Sequence, residues 1–114
     1  MSTILHHVGG IETGAADRTG PVYNPATGVV QHQVAFASKD EVDAAIATAA
    51  AALPGWRATG LVKRADVFFR LRHLLVERQD ELAAIITSQH GKVLSDAKGE
   101  ISRGIENVEF AAGL

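Results

Sequence analysis

The side chains that could do chemistry in this chain are few. Five histidines stand at positions 6, 7, 32, 73 and 90. No two of them sit four apart on a helical segment with a glutamate between, so no zinc-type pair is written locally. His6 and His7 are adjacent and point apart in any regular structure. There is no cysteine, which excludes disulfides, thiolate metal sites and a thiolate nucleophile within the chain. Gly9-Gly10 lacks the third glycine and the following helix of a dinucleotide-binding turn. Gly91-Lys92 resembles the tail of a phosphate loop, but no glycine-rich stretch precedes it, so it reads as the end of a helix.

The basic residues Lys63, Arg64, Arg70, Arg72 and Arg78 are interspersed with Asp66, Glu77, Asp80 and Glu81, the pattern of a solvated face. Arg72 stands apart. At about 100° per residue it projects from the middle of an apolar stripe, where a guanidinium needs a carboxylate or carbonyl. An ion pair or a subunit contact is expected for it. The most informative positions lie on the last helical segment. Helical spacing places Gly99, Arg103, Glu106, Asn107 and Phe110 on the side opposite its apolar stripe. A purely solvated back face has little use for a phenylalanine and a glycine, so this helix is either covered on both sides or lines a cleft. Two readings of Arg103 stand at this point. One is an intrahelical pair with Glu100, Glu106 or Asn107, worth tenths of a kcal/mol. The other is a guanidinium aimed at a substrate carboxylate, which its planar fork suits better than lysine does.

The elements that position these residues follow from pattern. Strands and a hairpin are expected over residues 8–36. Val8-Gly9-Gly10-Ile11 reads as a short hairpin element. Val22-Tyr23 and Val29 to Phe36 read as strands around the Asn24-Pro25-Ala26-Thr27-Gly28 turn. In the second strand Val30, Val34 and Phe36 alternate with Gln31, Gln33 and Ala35, and His32 interrupts the apolar face. About four helices follow. Ser38 and Glu41 have capping-box spacing. Val42, Ala45, Ile46, Ala49 and Leu53 then recur helically, and Pro54-Gly55 is expected to stop that helix, with Trp56 folding back over its end. A second helix is expected over 60–78 with Thr59 as N-cap and Leu61, Ala65, Phe68, Phe69, Leu75 and Val76 as its apolar face. A third, capped by Asp80, carries Leu82, Ile85 and Ile86 and ends at Gly91. The fourth is expected over 95–112, with Ala97, Ile101, Ile105, Val108 and Ala112 as its stripe.

The 114 residues suit one domain or part of one, and no linker marks an internal boundary. Apolar residues at 46% and charged residues at 21% describe a globular chain, with aromatics at only 5%, so the core must come from small aliphatic side chains. A net charge of -2 gives no electrostatic footprint for nucleic acid. The run 44–53 is half the length that crosses a bilayer, and residues 1–7 do not form a signal peptide. A soluble cytoplasmic protein is expected.

Taken together, Val22-Tyr23-Asn24-Pro25-Ala26-Thr27-Gly28, Asp43-Ala44-Ala45, Trp56-Arg57, Arg64-Ala65, Glu81-Leu82-Ala83 and Gly91-Lys92 resemble the N-terminal part of the aldehyde dehydrogenase superfamily. The final segment, Gly99-Glu100-Ile101-Ser102-Arg103-Gly104-Ile105-Glu106-Asn107-Val108-Glu109-Phe110-Ala111-Ala112-Gly113, is similar to the methylmalonate-semialdehyde dehydrogenase branch, which acylates CoA. The resemblance implies an α/β fold of which residues 1–114 are the opening, mostly helical part of the cofactor-binding domain. It implies NAD as cofactor, CoA as co-substrate, a semialdehyde as substrate, loss of CO2, and assembly into homo-oligomers. It implies Arg103 as the substrate-binding residue. The resemblance also implies that the nucleophilic cysteine, the helping glutamate and the glycine-rich NAD segment belong to the remainder of the subunit, so no residue here is assigned to catalysis, cofactor or metal. The chain alone is then expected to be inactive. The competing expectation is a free-standing binding or assembly module, or a split subunit, that reuses this segment.

Overall fold

The computed structural model describes residues 2–113. The chain forms two compact units, Met1–Arg57 and Ala58–Leu114.

The first unit holds five short strands and a helix: β1 (Ser2–Ile4), β2 (His6–Val8), β3 (Ile11–Thr13), β4 (Thr19–Tyr23), β5 (Val30–Ala35) and α1 (Lys39–Ala58). β2 and β3 pair antiparallel as a hairpin, with Val8 opposite Ile11. Gly9 and Gly10 both take positive φ, 64° and 85°. That is the turn whose twist matches a two-residue hairpin, and glycine adopts it without a Cβ clash. The other sheet has the order β1-β5-β4, with β1 parallel and β4 antiparallel to the central β5. β1 was not foreseen, because three residues carry no periodicity to read. The Asn24–Gly28 turn forms as its residues dictate. Asn24 Oδ1 accepts the Ala26 N–H at 2.9 Å, the Asn24 carbonyl accepts the Gly28 N–H at 2.8 Å, and Gly28 exits at φ 71°.

The alternation expected in β5 is not realised. Residues 30–34 are all half-buried and Ala35 is buried, while Phe36 is 47% exposed. β5 is central, with a partner on each edge, and Phe36 has already left the strand. Its ring lies on buried Gly20, where a Cβ would come within 2.4 Å of Phe36 Cζ and would have to push the ring aside. The Arg18 guanidinium sits 5.7 Å from the ring centroid on the outside. His32, the apparent flaw in the strand, is matched by Ser2 Oγ at 2.9 Å from its Nδ1.

α1 starts at the capping box expected of it. The Ser38 N–H donates to Glu41 Oε2 at 2.7 Å, and the Glu41 N–H donates to Ser38 Oγ at 3.2 Å. It does not stop at Pro54. The helix continues through Trp56 to Ala58. Proline removes one N–H donor and crowds the carbonyl four residues earlier, a penalty and not a prohibition. That carbonyl belongs to Ala50, on an exposed stretch where water can reach it, and the surrounding alanines are the best helix formers.

The second unit packs three helices, α2 (Leu61–Glu77), α3 (Gln79–His90) and α4 (Leu94–Ala112). α2 and α3 both contact α4. The N-cap of α2 is Gly60, one residue after the expected Thr59, and its carbonyl takes the first helical bond from the Arg64 N–H at 3.1 Å. α3 is preceded by Arg78, not capped by Asp80. Arg78 serves as both C-cap of α2 and N-cap of α3, so no loop separates them and Asp80 falls inside the first turn. Gly91 ends α3 in the left-handed conformation at φ 84°, its N–H donating to the Thr87 carbonyl at 2.9 Å. The stripe of α4 is the core: Ala97, Ile101 and Ile105 are buried with Ala83 of α3, and Leu75, Leu82 and Ile86 pack around them. Much of the face expected to be apolar on α2 is open, with Leu61 74% exposed.

Candidate functional site

α4 is held in a fixed rotational setting by side chains of α2, α3 and the α3–α4 connection. Arg72 of α2 donates from Nε to Glu109 Oε1 at 2.5 Å, which supplies the carboxylate its place in the stripe required. Lys98 pairs with Asp80 at 2.7 Å, and Lys92 pairs with Glu100. Gln79 Nε2 donates to Ser102 Oγ at 3.1 Å and to the Lys98 carbonyl at 3.4 Å. These partly exposed pairs are individually worth little in stability. Together they fix which way α4 turns its other face.

That face carries the cluster expected from spacing. Arg103, Glu106, Asn107 and Phe110 are exposed, Phe110 at 83%, and Gly99 is half-buried. None of the intrahelical partners considered for Arg103 takes its guanidinium. Glu100 is engaged by Lys92, whose ammonium holds its carboxyl below the usual range. Asn107 uses its Nδ2 on the Arg103 carbonyl, at 2.8 Å. Among the described residues Arg103 is the cation of α4 without a salt bridge. Its nearest notable neighbour is Gly99, where a Cβ would stand 3.6 Å from Arg103 Nη1. An unpaired planar fork leaves its donors free for a ligand that accepts hydrogen bonds.

The other candidates resolve as structural. Gly91 is a helix cap and Lys92 an ion-pair partner. Lys63, Arg70 and Arg78 are exposed. Among the described residues no group of three His, Asp or Glu side chains is placed to hold a metal ion, and no helix is long and apolar enough to cross a membrane. The Gly9-Gly10 turn leads into β3, not into a helix.

Sequence reasoning missed a cleft of about 560 Å³ between the β2–β3 hairpin and α1, lined by His6, Val8, Ile11, Glu41, Val42 and Ile46 among others. Its one carboxylate is spoken for. Glu41 accepts N–H bonds from Ser38 and, through Oε1, from Ala15 at 3.0 Å. The Ser38 and Ala15 backbone donors and the Ser38 hydroxyl lower its pKa from 4.5 to about 2, with His6 a smaller contributor. A carboxylate so tied is a structural anion, not a proton carrier at neutral pH.

Residues 12–114 match the model of the aldehyde dehydrogenase family. Malonate-semialdehyde dehydrogenase 3 of Geobacillus kaustophilus is 45% identical over 115 residues, covering 98% of this chain and 23% of that enzyme. The crystal structure of methylmalonate-semialdehyde dehydrogenase from Oceanimonas doudoroffii superposes with a TM-score of 0.97 at 45% identity, over 99% of this chain and 23% of that one. A structure from Sinorhizobium meliloti 1021 assigned to the same enzyme, solved in complex with NAD, superposes at 0.94 with 42% identity, over 97% and 23% of the two chains. The chain thus spans about a quarter of the length of the relatives it matches.

Proposed function

The chain belongs to the aldehyde dehydrogenase family, and on that premise we propose that it is the N-terminal part of the cofactor-binding domain of a malonate- or methylmalonate-semialdehyde dehydrogenase. In this reading the complete enzyme is cytoplasmic and homo-oligomeric. It oxidises the semialdehyde with NAD, releases CO2 and delivers the acyl group to CoA. With no cysteine in the chain, the nucleophile comes from the rest of the subunit, and residues 1–114 alone are inactive. NAD supplies the hydride acceptor when bound, on residues outside this segment. What this chain contributes is scaffold and Arg103, which grips the substrate's free carboxylate and so orients the aldehyde at the other end.

The observation that carries this reading is the unpaired guanidinium of Arg103 on the exposed face of a helix fixed by Arg72, Lys98 and Gln79. The test uses a graft in which residues 1–114 replace the matching quarter of the Oceanimonas doudoroffii enzyme. Arg103→Ala should raise KM for malonate semialdehyde roughly tenfold to a hundredfold, the worth of a charge-assisted hydrogen bond, and leave propanal nearly unaffected. Equal effects on both substrates would assign Arg103 a structural role. The second reading, a free-standing assembly module or split subunit, draws on the large uncovered apolar surface. The reading frame downstream discriminates: a glycine-rich segment followed by a cysteine motif supports the dehydrogenase, and an unrelated neighbour supports the module.

A further inference from the structure

A guanidinium serves a substrate only while the carboxylates of its own helix leave it alone. On α4, Glu100 stands three residues before Arg103 and Glu106 three residues after it, so both are its neighbours on the helix surface. A pair with the acidic residue on the N-terminal side is the better aligned with the helix dipole. Glu100 is therefore the stronger rival for the guanidinium.

Glu100 does not take it. Its Oε1 accepts a hydrogen bond from the Lys92 ammonium. Lys92, first by this bond and then by its charge, holds the Glu100 carboxyl below its usual range, and the charges of His90 and Arg103 act in the same direction to a smaller extent. Arg103 is thus near enough to act on the carboxyl that Lys92 holds. The backbone explains why Lys92 wins. Gly91 ends α3 in the left-handed conformation at φ 84°, and the chain turns there to enter α4, whose N-cap is Val93. Lys92 lies between the two, with only 18% of its side chain exposed, so its ammonium loses little freedom in meeting Glu100. Arg103 stands in the open and has more to lose. The other cation of α4, Lys98, is engaged by Asp80.

We propose that Lys92 is a positioning residue for substrate recognition: by holding Glu100 it keeps the Arg103 guanidinium open to the substrate's carboxylate. This rests on the reading of Arg103 as that carboxylate's partner, and it gives the Gly91-Lys92 pair a use beyond ending a helix. Without Lys92, Glu100 turns to Arg103 and leaves a negative charge beside the incoming carboxylate. Both effects act against carboxylated substrates and neither acts against a plain aldehyde.

The experiment measures KM and kcat for malonate semialdehyde and propanal in the grafted full-length enzyme and its Lys92→Met, Lys92→Gln, Glu100→Gln, Lys92→Met/Glu100→Gln and Arg103→Ala variants. The ratio of the two KM values, malonate semialdehyde over propanal, is taken within each variant, so differences in the fraction of folded enzyme cancel. Lys92→Met should raise that ratio about threefold, the scale of a weak surface pair plus one uncompensated charge. Lys92→Gln keeps a donor for Glu100 without the charge, and should raise it less. Glu100→Gln alone should not raise it. The double variant removes the rival together with its restraint and should return the ratio to that of the parent. A ratio unmoved by both Lys92 variants, raised by Glu100→Gln alone, or raised by Lys92→Met and not restored in the double variant, while Arg103→Ala still impairs malonate semialdehyde selectively, overturns this inference alone. A loss in Arg103→Ala that is equal for both substrates overturns the reading beneath it as well.

Discussion

Glu41 shows how much one carboxylate can tie together. Its link to Ser38 is local and was legible from three-residue spacing, whereas its bond to the Ala15 N–H joins positions 26 apart in sequence and left no local signal. Because its pKa is lowered from 4.5 to about 2, the folded state prefers the ionised form. The stabilisation is complete above pH 4.5 and is lost as pH falls through about 2. Hydrogen exchange should therefore show protection of the Ala15 and Ser38 amides declining across that interval. Protection that stays constant down to pH 2 would contradict the assignment. Glu41→Gln should remove the pH dependence. Arg72 was legible for the opposite reason. A guanidinium at a core-facing helical position demands a partner, and Glu109 is that partner, although sequence could not say which carboxylate it would be. The position of Arg103 on the outward face was readable from the helical repeat, but its lack of a salt bridge among the described residues was not, since Glu100 pairs with Lys92 instead.

At the scale of elements, α4 was the most readable, because one side of it meets α2 and α3 and the periodicity survives intact. Its stripe residues Ala97, Ile101 and Ile105 are the buried ones. Ile101→Ala should cost about 2–4 kcal/mol, read from the loss of hydrogen-exchange protection in α3 and α4, by lost transfer energy and the cavity left behind. A cost below 1 kcal/mol would mean that the three-helix core is not what holds the second unit together. α1 was the least readable at its end. Nothing in it is buried, so its length is decided by propensity and capping instead of by packing, and a proline rule misplaces its stop. Because α1 already runs through Pro54, Pro54→Ala should stabilise it by about 1–3 kcal/mol with little change in helical circular dichroism. A clear gain in helicity would place the helix end at residue 53 after all. The β5 alternation failed because a central strand with close neighbours on both edges buries all of its residues partially, whichever face they occupy.

Over the whole molecule the arithmetic of surface is decisive. The chain exposes 8166 Å². Two independent globules of half its mass would expose about 7,200 Å² between them. Large apolar side chains stand in the open, among them Ile46, Leu61, Val62, Val93 and Phe110, each more than 60% exposed, and such surface seeks cover. The isolated chain should self-associate in a concentration-dependent way on light scattering and melt without a sharp transition. A monodisperse monomer with a cooperative melt would show that it is complete as it stands. The broad helical faces made this foreseeable from sequence; which residues stay uncovered depended on how three helices divide one small core. The central claim is that this chain is an exchangeable opening segment of a semialdehyde dehydrogenase, supplying a carboxylate receptor and no nucleophile. Its most direct test is the rate of CoA-dependent NAD reduction with malonate semialdehyde by the graft carrying residues 1–114. The account predicts turnover within about tenfold of the parent enzyme (~1.4 kcal/mol in barrier height). A graft that folds, binds NAD and turns over propanal but not the semialdehyde would contradict it.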